Sequence, residues 1–271
     1  MSNDDARFVG SIPKHYDKGL GPILFADYAA DIARRVAALK PDRVLETAAG
    51  TGIVTRALRD ALPAGAHITA TDLNPPMLAI AGAKFGPDER VAFQPADATA
   101  LPFADGAFDA VVCQFGVMFF PDKDKAYREV RRVLAPGGRY HFNVWDSFQT
   151  IKFAPIVYDL VARFTPDNPP HFMRVPFSYP FEPIKDSLVA AGFDDINVAV
   201  LRIAKAIPDV LHFAHAQIYG SPLIDQVRAR GVDPDAVVDA LAQEFRAAFG
   251  DKPGRMNLQA LVFSAMKPAG A

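Results

Sequence analysis

The sequence predicts an α/β fold built on a doubly wound, mainly parallel sheet of seven strands. Its first two thirds alternate short β-branched runs with longer segments of helical periodicity, the pattern of consecutive strand–helix–strand units. Half of its 271 residues are hydrophobic, which suffices for a large core. The formal net charge of -2 is typical of a compact protein. We therefore treat residues 1–271 as a single domain.

The first half of the chain accounts for five of the seven strands. Residues 1–40 are predicted to be an N-terminal helical segment, because apolar residues recur with helical period from Phe25 to Leu39. Residues 41–146 follow as a strand-and-helix core whose strands are each bounded by Gly, Pro or Asp. The strands are predicted at Arg43–Glu46, His67–Asp72, Val91–Pro95, Phe108–Gln114 and Gly138–Trp145, and the crossover helices at Ile53–Ala61, Met77–Lys84 and Lys123–Val133.

The second half of the chain is less regular. Residues 147–183 are rich in proline and aromatic residues, which favours a lid loop over a cleft; a surface connector is the alternative. Residues 204–254 are predicted to be a helical insertion between the last two strands. We expect this insertion near the substrate site or at a dimer contact. Within this half, a helix is predicted at 183–191, strands at 196–203 and 257–266, and insertion helices around 212–218 and 236–249.

Composition excludes several classes of function. The isoelectric point of about 6.3 leaves no basic surface for nucleic acid, so a small-molecule partner is expected. Cys113 is the only cysteine, which excludes an internal disulfide and a multi-thiolate metal cluster and fits a reducing compartment. No uncharged apolar run approaches the roughly 20 residues that span a bilayer, and the N-terminus lacks a signal-peptide pattern. We predict a cytoplasmic protein with no membrane insertion.

The segment from Val44 to Gly52 carries the first chemical signal. A hydrophobic strand runs into small residues at 48, 50 and 52 and then into a helix, so a ligand can approach the backbone at a helix N-terminus. The two-residue spacing departs from the dinucleotide pattern G-x-G-x-x-G, which weakens a nicotinamide hypothesis. A plain strand-to-helix turn is the alternative interpretation.

Two aspartates follow at the ends of the next strands. Asp72 comes about twenty residues after the glycines, where a carboxylate can accept hydrogen bonds from both ribose hydroxyls of an adenosine. Capping of the helix after Asn74 is the alternative role for Asp72. Asp97 ends the third strand and can accept from an adenine amino group. The three strand ends together predict a site for an adenosyl ligand.

Four segments follow one another along the chain: VLETAAGTG, ATDLNPPML, PADATALPFADGAFDAVVCQFGVMFF and YREVRRVLAPGGRYHFNVW. In this order they resemble the motifs of class I S-adenosylmethionine-dependent methyltransferases. The resemblance extends from about Tyr16 to Trp145, and it is closest to the small-molecule group that includes ubiquinone and menaquinone biosynthesis methyltransferases. It implies a Rossmann-like fold, S-adenosyl-L-methionine as cofactor with S-adenosyl-L-homocysteine as product, no metal, and methyl transfer to a small, partly apolar acceptor.

The resemblance also implies a set of cofactor-binding residues, each tied to one part of the cofactor. They are Glu46, Ala48, Gly50 and Gly52 for the methionine part, Asp72 for the ribose, Leu73 and Met77 for the adenine faces, Asp97 and Ala98 for the adenine edge, Gln114 for the sulfonium side, and Tyr16 for closure over the cofactor.

The chain departs from the family pattern at two places. Ala48 stands where the family usually has glycine, which is tolerable if φ at this residue stays negative. The insertion at 204–254 replaces a tight hairpin, so a quinone acceptor does not follow from the resemblance. Seven residues are candidates for an apolar acceptor site, with a plain core as the alternative: Phe115, Met118, Phe119, Trp145, Phe172, Phe177 and Tyr179.

No catalytic residue is singled out by the sequence. Five histidines qualify as a general base by chemistry alone. A homodimer is compatible with the sequence. A non-catalytic S-adenosylmethionine-binding protein and a nucleotide-cofactor oxidoreductase remain alternatives. The five histidines are His15, His141, His171, His212 and His215.

Overall fold

The computed structural model describes residues 3–177 and 179–270. Within these residues, seven strands form one sheet in the order β3-β2-β1-β4-β5-β7-β6. All seven predicted strands are present, and the first four have the predicted bounds. The strands are β1 (Arg43–Glu46), β2 (His67–Asp72), β3 (Val91–Pro95), β4 (Phe108–Gln114), β5 (Leu134–Trp145), β6 (Asp194–Ile207) and β7 (Gly254–Met266).

The sheet is parallel from β3 to β5, whereas β7 runs antiparallel to both β5 and β6. The strand order reverses between β1 and β4, which are direct neighbours; Glu46 pairs with Ala70 on one side and Val112 on the other. In open α/β sheets, ligands bind outside the carboxyl ends of the strands at such a reversal. The topology therefore locates a candidate site beyond Glu46 and Gln114.

Helices cover both faces of the sheet. The predicted N-terminal helical segment at 1–40 is present, and its helical structure begins before the Phe25–Leu39 repeat, because a wide-turned helical stretch at Tyr16–Phe25 precedes the regular helix. The helices are α1 (Ile12–His15), α2 (Ala26–Ala37), α3 (Ile53–Ala61), α4 (Pro75–Gly82), α5 (Lys123–Val133), α6 (Phe153–Phe164), α7 (Phe181–Ala190), α8 (Val210–Tyr219), α9 (Leu223–Arg228) and α10 (Pro234–Phe249).

Two boundaries differ from prediction for identifiable reasons. Helix α4 begins at Pro75, before the predicted Met77, because proline is well suited to the first helical turn, where its missing N–H is not needed. Strand β5 begins at Leu134 rather than Gly138, since the Pro-Gly-Gly segment forms an irregularity within the strand and does not end it. A Cβ on Gly138 would lie 2.9 Å from the carbonyl oxygen of Asp109, so glycine permits this close pairing.

The insertion between β6 and β7 consists of α8, α9 and α10. Phe213 of α8 stacks on Phe245 of α10 with ring centroids 5.3 Å apart. Helix α8 also packs so closely on the Tyr16–Phe25 stretch that a Cβ on Gly19 would lie 2.3 Å from Cβ of Ala216. The insertion is therefore fastened to the N-terminal segment of its own chain.

The predicted lid loop at 147–183 contains more regular structure than expected. It includes all of α6 and a short 3-10 turn at Phe172–Phe177, and α7 begins at Phe181; Ser178 lies outside the described residues. The apolar face of α6 explains the difference, since five of its residues are buried. The lid function stays a prediction.

A separate finding concerns membranes. Among the described residues, no helix has both the length and the apolar character required to cross a bilayer.

Candidate functional site

A cavity of about 620 Å³ opens at the carboxyl ends of the central strands. Nine of the eleven predicted cofactor residues line it. Glu46 instead lines a small side pocket that shares Tyr16, Ala48, Gly50 and Gln114 with the cavity, and Gly52 lines neither. The nine cavity residues are Tyr16, Ala48, Gly50, Asp72, Leu73, Met77, Asp97, Ala98 and Gln114.

Asp72 is held rigidly at the end of β2. Its Oδ2 accepts from the backbone N–H of Gly50 at 2.9 Å, and its Oδ1 accepts from that of Asn74 at 2.8 Å. Burial raises the pKa of Asp72 above its ordinary value, although these N–H donors act in the opposite direction. An ionised carboxyl has about four lone-pair sites, so two engaged oxygens still have room for ligand donors. Asp72 therefore fixes the turn before α4, and its role towards a ribose stays a prediction.

Asn74 attaches the N-terminal segment to the rim of the cavity. Its Nδ2 donates to the carbonyl of Ala6 at 3.0 Å, and its Oδ1 accepts from the N–H of Phe8 at 3.2 Å. Both residues line the cavity, together with Arg7 and Val9. Sequence reasoning missed this wall, since its contacts cross more than sixty positions of the chain.

The residues predicted to surround an adenine occupy the same part of the cavity wall as Asp72. Leu73 is 59 % exposed, an uncovered apolar side chain suited to a flat ligand. Asp97 is oriented by Thr99, whose backbone N–H and hydroxyl donate to Asp97 Oδ1 at 2.8 and 2.9 Å. Apolar contact surfaces beside a fixed carboxylate are compatible with a nucleoside; the individual roles stay predictions.

Glu46 is a buried carboxyl beside the cavity. Its side chain is hydrogen-bonded by the hydroxyl of Thr55, which donates to Oε2 at 2.6 Å. Burial raises the pKa of Glu46 to about 8, and the charge of Asp72 acts in the same direction. None of the ion pairs found in the described residues includes Glu46. The site can therefore gain stability from a ligand cation placed near this carboxyl.

Alanine at position 48 was expected to be tolerated if its φ stays negative, and this condition is not met. Its φ is +53°, in the left-handed region that favours glycine. This conformation turns the chain so that the N–H of Ala49 donates to Thr71 O and that of Gly50 reaches Asp72. Space for the Ala48 methyl group is left by Gly116, where a Cβ would lie 2.4 Å from that methyl carbon. The turn thus keeps its shape at the cost of backbone strain.

We expect Ala48→Gly to stabilise the protein by about 0.5 to 1 kcal/mol, because glycine removes the left-handed strain. Urea denaturation of both proteins measures the change. Ala49→Gly is the matched control, since Ala49 has no positive φ and should only lose stability. A less stable Ala48→Gly variant would show that the methyl packing outweighs the strain.

Gly52 has a packing role in this structure. It precedes α3 with φ +81°, and a Cβ there would lie 2.9 Å from Cβ of Ala81 on α4. Its small size therefore permits the close approach of α3 and α4, and its role towards the cofactor stays a prediction. Sequence spacing could not reveal this difference from Gly50, because both glycines occupy the same turn.

The remainder of the cavity wall is aromatic. Phe115 and Trp145 stack there with ring centroids 4.1 Å apart, and Phe115 has a positive φ of 52°. Six of the seven predicted acceptor-site residues line the cavity; the exception is Tyr179, whose hydroxyl lies 3.3 Å from that of Tyr127. Sequence reasoning did not assign six further lining residues to this wall: Leu20, Leu24, Phe25, Phe153, Met173 and Gln217.

None of the five candidate histidines lines the cavity in the described part of the chain. His141 is buried in β5, where burial and nearby arginines lower its pKa to about 4. His15 and His215 lie together outside the cavity, with ring centroids 5.0 Å apart. The described residues include no group of three or more side chains able to hold a metal. The catalytic residue stays unassigned.

Comparison with known proteins finds similarity to methyltransferases. Residues 45–142 match the methyltransferase domain family. A demethylmenaquinone methyltransferase of Thermus thermophilus is 49% identical over 112 residues, which are 41% of this chain and 49% of that protein. The chain spans about half the length of the curated relatives it matches.

Two solved structures show the same fold over most of the chain. The YcgJ protein of Bacillus subtilis is 19% identical with a TM-score of 0.58, covering 89% of this chain and 99% of its own. Phosphoethanolamine N-methyltransferase 2 of Haemonchus contortus, solved with phosphomonomethylethanolamine and S-adenosylhomocysteine, is 21% identical with a TM-score of 0.59. It covers 89% of this chain and 52% of its own. At these identities the likeness concerns the fold, which is the predicted Rossmann-like sheet.

Proposed function

We propose that this chain is a class I S-adenosylmethionine-dependent methyltransferase that methylates a small, partly apolar molecule, and its match to the methyltransferase domain family at residues 45–142 supports this. One observation carries the proposal: a single cavity joins the carboxylate of Asp72 to an aromatic wall at Phe115 and Trp145. A polar nucleoside cofactor suits the first part and an apolar acceptor suits the second. Donor and acceptor can therefore occupy one enclosed space.

The residues of the polar part fit S-adenosylmethionine. The Asp72 carboxylate suits the ribose hydroxyls, and Leu73 and Met77 offer apolar surface to the adenine. Glu46 has no cationic partner among the described ion pairs and suits the positively charged methionine end. When bound, this cofactor supplies an electrophilic methyl group on a sulfonium.

The chain's own contribution is orientation and exclusion of water. Methyl transfer is an in-line displacement, so holding the acceptor atom in line near contact distance lowers the barrier most. The N-terminal residues Ala6–Val9 and the Tyr16–Phe25 stretch enclose the cavity from one side, and α8 from another. Burial and the nearby Asp72 raise the pKa of Tyr16, so its hydroxyl stays protonated. The proposal therefore assigns no general base to the chain.

The acceptor is proposed only by class. The Thermus relative acts, by its name, on demethylmenaquinone, but the match covers 41% of this chain, and helix α8 of the insertion at 204–254 lines the cavity here. An acceptor with substantial apolar surface suits the aromatic wall. Cytoplasmic location, a homodimer, and the lack of nucleic-acid and metal partners stay predictions. The match to a methyltransferase domain favours methyl transfer over the oxidoreductase alternative.

Calorimetric titration tests the cofactor. We expect the protein to bind S-adenosylmethionine and S-adenosylhomocysteine with micromolar affinity, to ignore NADH, and to lose binding in Asp72→Ala. Preference for NADH, or no binding of either adenosyl compound, would contradict the proposal. Cofactor binding without homocysteine release across an acceptor screen would favour a non-catalytic binding protein.

A further inference from the structure

One buried polar atom in the cavity wall, the side-chain amide nitrogen of Gln217, has no hydrogen-bond partner among the described residues. Gln217 of α8 is 4 % exposed, and its Nε2 makes no hydrogen bond within the described part of the chain. The other described residues with buried, unpartnered side-chain polar atoms are Thr51, Tyr140 and His141, none of which lines this cavity. Gln217 thus combines an unsatisfied amide with access to the candidate site.

The amide is held in a rigid, apolar setting. Phe213, one turn earlier on α8, packs against Phe153 of α6 with ring centroids 6.1 Å apart. One turn later, Gly220 lies so close to Tyr16 that a Cβ there would be 3.1 Å from the Tyr16 backbone nitrogen. The helix backbone that carries Gln217 is therefore held by packing one turn before and one turn after it.

Such an amide is unfavourable for folding by itself. A buried amide N–H without a hydrogen bond destabilises the folded protein relative to one that has a partner. Nearly all buried polar groups in native proteins have a partner, and a group without one is often part of a binding site. A leucine at this position would fill similar space without that cost.

We propose that the side-chain amide of Gln217 hydrogen-bonds an oxygen of the methyl acceptor, and so selects apolar molecules that carry a carbonyl or hydroxyl group. The inference rests on the proposed function, since it takes the aromatic part of the cavity as the acceptor site. Gln217 is a specificity-determining and positioning residue. It lies in the insertion, outside the segment that matches the methyltransferase domain family.

A pair of model ligands tests the hydrogen bond. 1-Tetralone and tetralin differ by one carbonyl oxygen, and their dissociation constants are measured by calorimetry on protein saturated with S-adenosylhomocysteine. In Gln217→Leu, we expect the affinity ratio of ketone to hydrocarbon to fall about 3- to 10-fold, the usual worth of one neutral hydrogen bond. The cofactor affinity should not change.

Thermal unfolding without ligand is the second readout. Gln217→Leu should raise Tm, because it removes an unsatisfied amide. Gln226→Leu is the matched control: the Gln226 amide accepts from Phe172 N at 3.2 Å and donates to Asp5 Oδ1 at 3.3 Å, and it does not line the cavity. This control should lower Tm and leave the affinity ratio unchanged.

Three results would overturn the inference: an unchanged affinity ratio in Gln217→Leu, a lower Tm in that variant, or no binding of 1-tetralone to the wild type. Failure of the proposed function has a different signature, since the wild type would then not bind S-adenosylhomocysteine in the preceding titration.

Discussion

Lowering the pH from 7.5 to 5.5 will weaken the binding of S-adenosylmethionine by roughly tenfold per pH unit. The reason is Glu46, whose pKa of about 8 in the empty protein keeps it protonated over this range. The cationic methionine group of the bound cofactor favours the ionised form of Glu46. Binding must therefore deprotonate Glu46, and each pH unit below its pKa makes this deprotonation less favourable. Calorimetric titration across this range measures the slope.

Because cofactor binding favours the ionised form of Glu46, binding also releases a proton. At pH 7, we expect the uptake of S-adenosylmethionine to release close to one proton, measured as a dependence of the binding heat on buffer ionisation enthalpy. Glu46→Gln keeps the size of the side chain and should abolish both the release and most of the pH slope. Equal proton release in wild type and variant would assign the coupling to another group, such as Asp72.

Glu46 also affects the stability of the empty protein. Its pKa is raised on folding from an ordinary 4.5 to about 8, so its contribution is fully present below pH 4.5 and is lost as the pH rises to 8. Glu46→Gln should therefore be more stable than the wild type at pH 8 and lose this advantage towards pH 5. Urea denaturation at the two pH values supplies the comparison.

Alanine at the two glycines of the first turn should affect stability and cofactor binding to different extents. At Gly50, an added Cβ would meet only Met77 Cε, at 3.8 Å, but would enter the cavity. We expect Gly50→Ala to cost about 1–2 kcal/mol of stability from its positive φ and to weaken cofactor binding at least tenfold. At Gly52, the clash with Ala81 adds to the strain, so Gly52→Ala should cost about 2–4 kcal/mol.

Urea denaturation and cofactor titration of both variants separate the two roles. The Gly52→Ala protein that remains folded should bind the cofactor almost normally, because residue 52 does not line the cavity. Strong loss of binding in folded Gly52→Ala would mean that this residue also shapes the site.

The sequence was most informative about features that are determined by residues close together in the chain. Strands β1 to β4 have the predicted bounds because each is a short apolar run with a clear breaker at both ends. Asp72 could be located because a carboxylate at the end of a parallel strand faces the crevice in this fold. Gly52 and the φ of Ala48 could not be derived, since spacing does not tell which side of a turn meets a neighbouring helix.

The walls of the cavity were much harder to predict. The side chain of Asn74 is hydrogen-bonded to the backbone of Ala6 and Phe8, which lie 68 and 66 positions away in the chain. No local sequence pattern predicts such a contact. Gln217 lies on an otherwise ordinary helix, where a polar residue normally faces water. Both features depend on tertiary packing of the N-terminal segment and the insertion against the sheet.

The stacked pair of Phe115 and Trp145 has a practical consequence. Trp145 is the only tryptophan in the chain, and it lies in the cavity wall. The indole fluorescence of the whole protein therefore originates at the proposed acceptor site, so the molecule carries a built-in optical reporter of what enters that site.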